Sequence, residues 1–83
     1  MDNTKQKYVR LKDYNQIIIF NSILNHSEFR NFNPISAGFC YVGMEEVRCF
    51  GESITLKLKS DKTDSFFATK QIFGIEAAEQ HCS

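Results

Sequence analysis

ISAGFCYVG, residues 35–43, and VRCFGESI, residues 47–54, mirror each other across Met44-Glu45-Glu46. Folded as an antiparallel hairpin about residues 43–46, positions whose numbers sum to 89 lie opposite one another. Val42/Val47, Cys40/Cys49, Gly38/Gly51 and Ser36/Ser53 then share one face. Tyr41/Arg48, Phe39/Phe50, Ala37/Glu52 and Ile35/Ile54 share the other. Side chains alternate along a strand, so one register fixes both rows at once. Like stands opposite like along the whole first face, and that agreement selects this register over its neighbours.

Outward from the hairpin, the run Ile17-Ile18-Ile19-Phe20 makes residues 16–20 a strand. Its apolar residues are continuous rather than alternating, which predicts a central strand covered on both faces. Residues 9–13 read as a short extended lead-in. Asn21 or Ser22, or Asn25 with Glu28 three positions on, opens one short helix. Pro34 ends it and pushes Asn33 toward extended geometry.

After the hairpin, Ile54, Leu56 and Leu58 alternate with Thr55, Lys57 and Lys59. That pattern is a half-buried strand. It is either a separate strand after a turn at Gly51 or the continuation of one long strand bulged there, and the Ile35/Ile54 pairing favours the long strand. Ser60 to Asp64 opens a second helix with capping side chains and first-turn carboxylates. Phe66, Phe67, Ala68, Ile72 and Phe73 form its apolar stripe, Gly74 its left-handed cap, and Ile75 folds back on the last turn.

The expected architecture is a small two-layer α+β domain over residues 9–75. It has an antiparallel-rich sheet of three or four strands and two helices, in the order β-α-β-β(-β)-α. Residues 1–8 and 76–83 are expected to be flexible termini.

With 83 residues, the chain has room for a single core. A chain of this size buries only about 60–65% of its extended surface, and self-association is a common remedy. Hydrophobic residues at 42% and charged residues at 24% are ordinary for a folded domain, which argues against disorder. Ten basic residues balance ten acidic ones. A dedicated nucleic-acid binder carries a basic excess, so this balance weighs against that class. No apolar run approaches the ~20 residues of a membrane span, and MDNTKQKYVR holds no signal-peptide core. Three cysteines fit a cytoplasmic protein better than a secreted disulfide scaffold.

Cys40/Cys49 is the first chemical candidate. Directly opposed residues hold their Cβ atoms about 4.5–5.5 Å apart, longer than the ~3.8 Å of a relaxed disulfide. Two buried thiols acting as small hydrophobes is the simpler reading, with a redox or metal pair as the alternative. Zinc needs two further ligands, and His26, His81 and Cys82 stand at no diagnostic spacing, so neither metal nor cofactor is expected. Gly38/Gly51 leaves a strip without side chains, suited to close approach by a helix. Phe39/Phe50, flanked by Tyr41/Arg48, makes an aromatic platform. Such a platform serves as core or subunit interface, and in some sheet proteins it stacks unpaired bases. Glu52 falls at a kink where polar groups converge on a pocket. His26 is expected to cap or face solvent. Lys57, Lys59, Lys62 and Lys70, offset by Asp61 and Asp64, form a solvated face. No phosphate loop, nucleophile elbow or paired-carboxylate motif is present, so enzymatic activity has no support.

Ser36-Ala37-Gly38-Phe39, Gly51-Glu52-Ser53 and Lys59-Ser60 together resemble a pattern in small uncharacterised bacterial proteins carried on phages and integron gene cassettes. The resemblance spans residues 9 to 73. It implies no activity, and favours an accessory or interaction role over central metabolism.

The leading expectation is a non-enzymatic interaction domain that associates as a homodimer. Its binding residues are Phe39, Tyr41, Arg48, Phe50 and Glu52. A small-ligand pocket or minor enzyme around Glu52 and Cys40/Cys49 is one alternative. Single-stranded nucleic acid on the Phe39/Phe50 face is the other.

Overall fold

The hairpin is present, in the expected register, over four consecutive pairs. In the computed structural model, which describes residues 4–82, β3 (Pro34–Val42) pairs with β4 (Val47–Phe50) through Phe39/Phe50, Cys40/Cys49, Tyr41/Arg48 and Val42/Val47. β1 (Gln6–Leu11) lies against the other edge of β3, and β2 (Ile17–Phe20) lies beyond it. The sheet is fully antiparallel in the order β2-β1-β3-β4. With the helices α1 (Asp64–Phe73) and α2 (Ile75–Cys82), the fold is α+β as expected. Both α-helices follow the sheet. The segment His26–Phe32, expected as the first helix, is a 3-10 helix.

Several local expectations are corrected. The inner strands are β1 and β3, and the run expected to be central forms the edge strand β2. Ile17 and Ile19 pack under α1 while Ile18 and Phe20 join the opposite cluster, so this edge strand is still covered on both faces. A continuous apolar run reports two covered faces, not a central position. Residues 6–8, expected to fray, belong to β1; residues 1–3 of that same expected tail lie outside the described residues. The expected loose tail is helical from Ile75 to Cys82, with Ala78 fully buried; Ser83 lies outside the described residues. Asn33 is left-handed (φ 57°, ψ 57°) rather than extended, a conformation that Asn tolerates better than most residues.

The long strand after Gly51 does not form. β4 ends at Phe50, and Gly51 turns the chain with φ 80°. Residues beyond it make a separate two-stranded ribbon, β5 (Glu52–Ser53) with β6 (Leu58–Lys59). Lys57 at φ 57° closes the turn between them, its N–H donating to Ile54 O at 3.2 Å.

The sheet separates two apolar clusters. Tyr8, Ile17, Cys40 and Val47 pack with Ala68 and Phe67 on the α1 side. On the other side, Val9, Leu11, Phe20 and Ala37 meet Phe29 of the 3-10 segment and Leu56 and Leu58 of the ribbon. The two expected layers are therefore joined by a partial third, which covers only part of the second sheet face.

Helix α1 is tied to the sheet by polar bonds at three places. Asp64, its first residue, is fully buried. Its carboxylate accepts from Tyr8 Oη, Arg10 Nη1 (2.9 Å), Ser36 Oγ (3.0 Å) and the Asp61 N–H (2.9 Å). Arg10 also donates to Thr63 Oγ1 (2.8 Å) and Asn15 Oδ1 (2.7 Å), and its guanidinium lies 4.4 Å from the Phe67 ring centre. A buried charge is tolerable when it is paired and its remaining lone pairs are hydrogen-bonded. At the β4 edge, the Val47 and Cys49 N–H groups donate to Thr69 Oγ1 (2.9 Å) and Ser65 Oγ (2.8 Å). At the β2 edge, Gln71 accepts from the Ile17 N–H (2.9 Å) and donates to its carbonyl (2.7 Å). α1 thus holds one face of the sheet at both edge strands, and the opposite face points away from it. Among the described residues, no helix is long and apolar enough to cross a membrane.

Candidate binding face

The residues singled out in the sequence divide between the two faces of the sheet. Cys40 lies on the α1 side, buried beside Tyr8, Val47 and Ala68. Cys49 stands directly opposite it, and no disulfide joins them. Burial pushes the Cys40 thiol up to about 11. At neutral pH it is a thiol rather than a nucleophilic thiolate.

Phe39, Tyr41, Arg48 and Phe50 lie on the face opposite α1. Tyr41 and Phe50 stack with ring centres 5.4 Å apart and planes 20° from parallel, and Phe39 lies 6.2 Å from Phe50. Tyr41 and Phe50 remain 40% and 38% exposed. Lys5 Nζ sits 4.5 Å from the Phe39 ring centre. Arg48, at the end of the row, donates to Glu46 Oε1 at 3.3 Å in a solvent-exposed pair. Such a pair contributes little to stability.

Beside Phe39 the surface drops into an open cleft of about 380 Å³, whose lining includes Lys7, His26, Phe39, Glu52, Ile54 and Thr55. Two glycines make it. Gly51 takes the chain off the sheet at positive φ. A Cβ on Gly38 would run into the Phe50 carbonyl oxygen and lie 3.2 Å from Gly51 C. The strip expected to receive a helix is thus used by the chain's own crossing at Phe50-Gly51. The ribbon that follows forms one wall of the cleft. Ser53 Oγ accepts from the Leu56 N–H at 3.2 Å, and Ser60 N–H donates to Gly51 O at 2.9 Å. Ile54 projects from this wall and is 84% exposed.

His26 forms part of the opposite wall. The expectation of a capping or solvent-facing histidine is corrected: His26 is 5% exposed. Its Nε2–H donates to the Gly38 carbonyl at 2.8 Å. Since a carbonyl only accepts, this bond places the proton on Nε2 in the neutral ring. The edges of Phe20 and Phe39 flank the ring at 5.5 and 5.6 Å. Burial lowers the His26 pKa below 6.5, the nearby Lys7 charge lowers it further, and the bond to Gly38 partly opposes them.

Glu52 is exposed at the cleft, as expected for a kink residue, but neither cysteine lines that cleft. The fold does not bring the Glu52/Cys40/Cys49 combination together. It joins Phe39, Tyr41, Arg48 and Phe50 in one patch, with Glu52 at its margin. Lys7, His26 and Ile54 were not legible as site residues, because their place depends on the crossing at Gly51. No protein-family model, curated protein or solved structure matches the chain.

Proposed function

We propose that this chain is a small non-enzymatic binding domain that works through the sheet face opposite α1 and self-associates as a homodimer. One observation carries the reading. Tyr41 and Phe50 are large, exposed and stacked, and their row runs through Phe39 to an apolar cleft where Ile54 is exposed, on the one sheet face that the fold leaves partly uncovered. Grouped exposed apolar residues mark interaction sites, whereas scattered ones need no explanation. At the sheet edges, the outward amides of Ile17, Val47 and Cys49 are already bonded to α1. Association by strand addition along β4 is therefore disfavoured, and a face-to-face contact is left. Cys40 and Cys49, opposed but not joined by a disulfide, agree with a cytoplasmic setting. An accessory role of the kind carried on mobile elements follows from the resemblance alone. Sedimentation velocity over a rising concentration series tests the reading. A strict monomer at high micromolar concentration overturns self-association.

A second reading, single-stranded nucleic acid stacked on the same rings, draws on the basic groups beside them, Lys5 and Arg48. The balanced charge weighs against it. Oligonucleotide binding that weakens steeply with salt would support it, and salt-insensitive or absent binding removes it.

A further inference from the structure

Ile54, Lys7 and Glu52 all line the cleft beside Phe39. Ile54 is an exposed apolar knob standing next to an apolar hollow. Lys7 comes from β1, its ammonium donating to the Leu24 carbonyl at 2.7 Å, and Glu52 from the ribbon wall; among the described residues neither has an oppositely charged side chain within ion-pair distance. Knob, hollow, cation and anion thus occur together on one patch. A two-fold contact joins a patch to itself, so each residue i meets j while j meets i. A surface carrying both halves of two complementary pairs meets the compositional requirement for pairing with itself under that operation.

We infer that the partner for this face is a second copy of the chain, docked about a two-fold axis beside the cleft. This inference rests on the self-association reading above and gives it an interface. Ile54 of each protomer enters the other's cleft against Phe39, and Lys7 of each faces Glu52 of the other. The broad face of the molecule, 32 × 28 Å, is large enough for the ~800 Å² per partner of a standard interface. With zero formal net charge, like copies approach without overall repulsion. The apolar lining beside a rim of opposite charges matches the usual division of an interface into a dry centre and a polar edge.

Charge reversal with mixing tests the geometry directly. Lys7→Glu alone places glutamate against glutamate at both symmetric contacts, and Glu52→Lys alone places lysine against lysine. Each variant should dimerise at least about tenfold more weakly than wild type. Mixed one to one, they should recover a heterodimer, because both of its contacts are then Glu against Lys. Attraction within a single chain could not produce that rescue. Ile54→Asp, at an exposed position, should abolish dimerisation while leaving the circular dichroism spectrum unchanged and the thermal midpoint independent of concentration, as for wild-type monomer at high dilution. If Lys7→Glu fails to fold, Ile54→Asp and Glu52→Lys decide between them, and wild-type dimerisation in both overturns the interface.

The failures are distinguishable. A wild-type dimer that ignores Ile54→Asp, or single variants not rescued by mixing, overturns this interface and leaves self-association standing. A wild-type chain monomeric at every concentration overturns both, as does a monomer that uses these residues only to bind an oligonucleotide.

Discussion

Arg10 Nη1 and Asp64 Oδ1 lie 2.9 Å apart, the carboxylate fully buried and the guanidinium nearly so. The pair joins β1, one of the two inner strands, to the first residue of α1. Asp64 carries four hydrogen bonds, so its charge is balanced by a cation, by neutral donors and by the N-terminal end of α1. Removing one partner of such a pair leaves the other buried and uncompensated.

Asp64→Ala should therefore cost about 3–5 kcal/mol, enough to unfold a domain of this size at ordinary temperature. Tyr8→Phe removes one of the four donors without removing the charge, and should cost about 1–3 kcal/mol. Urea unfolding followed by circular dichroism checks both. A loss below about 1 kcal/mol for Asp64→Ala contradicts the anchoring role, given how little exposed ion pairs contribute.

Gly38→Ala tests the crossing that makes the cleft. The new Cβ meets the backbone at Phe50 and Gly51 rather than the yielding tip of a side chain. Relief requires β3 and the start of the ribbon to separate. A loss of about 1–3 kcal/mol is expected, with larger NMR shift changes at Ser53 and Ile54 than at Val42 and Val47. Gly43→Ala is the control: its Cβ would lie 3.3 Å from Glu46 O, a milder contact. Equal effects from the two substitutions would remove the special role of Gly38.

The hairpin was legible because its register is a short-range property, set by identical residue types across a tight turn. Its end was not. Sequence symmetry continues through Gly51 to Ile54, but a glycine at φ 80° takes the backbone away from β3, and residue types do not report φ. β1 was obscured for a different reason. In Lys7-Tyr8-Val9-Arg10-Leu11, a basic side chain stands where a buried face needs an apolar one, and Arg10 can be buried only through Asp64, 54 positions along the chain. The aromatic row was legible from register alone, since residues two apart share a face. The cleft beside it depends on the backbone crossing and on the 3-10 segment, so Lys7, His26 and Ile54 carried no local signal.

His26 gives the fold a pH dependence of known sign. Its ordinary pKa of 6.5 applies in the unfolded chain, and burial holds the folded value lower. Between those two values the unfolded state binds more protons than the folded state, so stability falls as pH drops. The contribution is intact above about pH 6.5 and is lost progressively below it, until the folded-state pKa is reached. Asp61 acts in a lower window. Its pKa is held below 3.8, first by the Thr63 side-chain bond, so whatever it contributes is present above 3.8 and lost as pH falls through the folded value. His26→Gln should flatten the wild-type slope just below pH 6.5 and leave the more acidic region unchanged. Parallel stability curves for the two proteins between pH 7 and pH 5 would contradict the assignment.

Ser65 and Thr69 lie one helical turn apart, and their hydroxyls hold consecutive outward amides of β4 at Cys49 and Val47. This is a way of closing a sheet edge that needs neither a charged side chain nor a further strand. Ser65→Ala with Thr69→Val keeps the side-chain volumes nearly constant while removing both acceptors. Each orphaned amide should cost about 1–3 kcal/mol where water cannot reach it, and less where it can. The readout specific to edge closure is hydrogen exchange: the Val47 and Cys49 amides should lose protection selectively, while Tyr41 and Arg48 in the same hairpin keep theirs. Freed of those bonds, β4 becomes an unpaired strand edge, and the double variant should also aggregate faster on partial unfolding. If Val47 and Cys49 exchange no faster in the variant, the hydroxyls are not what closes this edge.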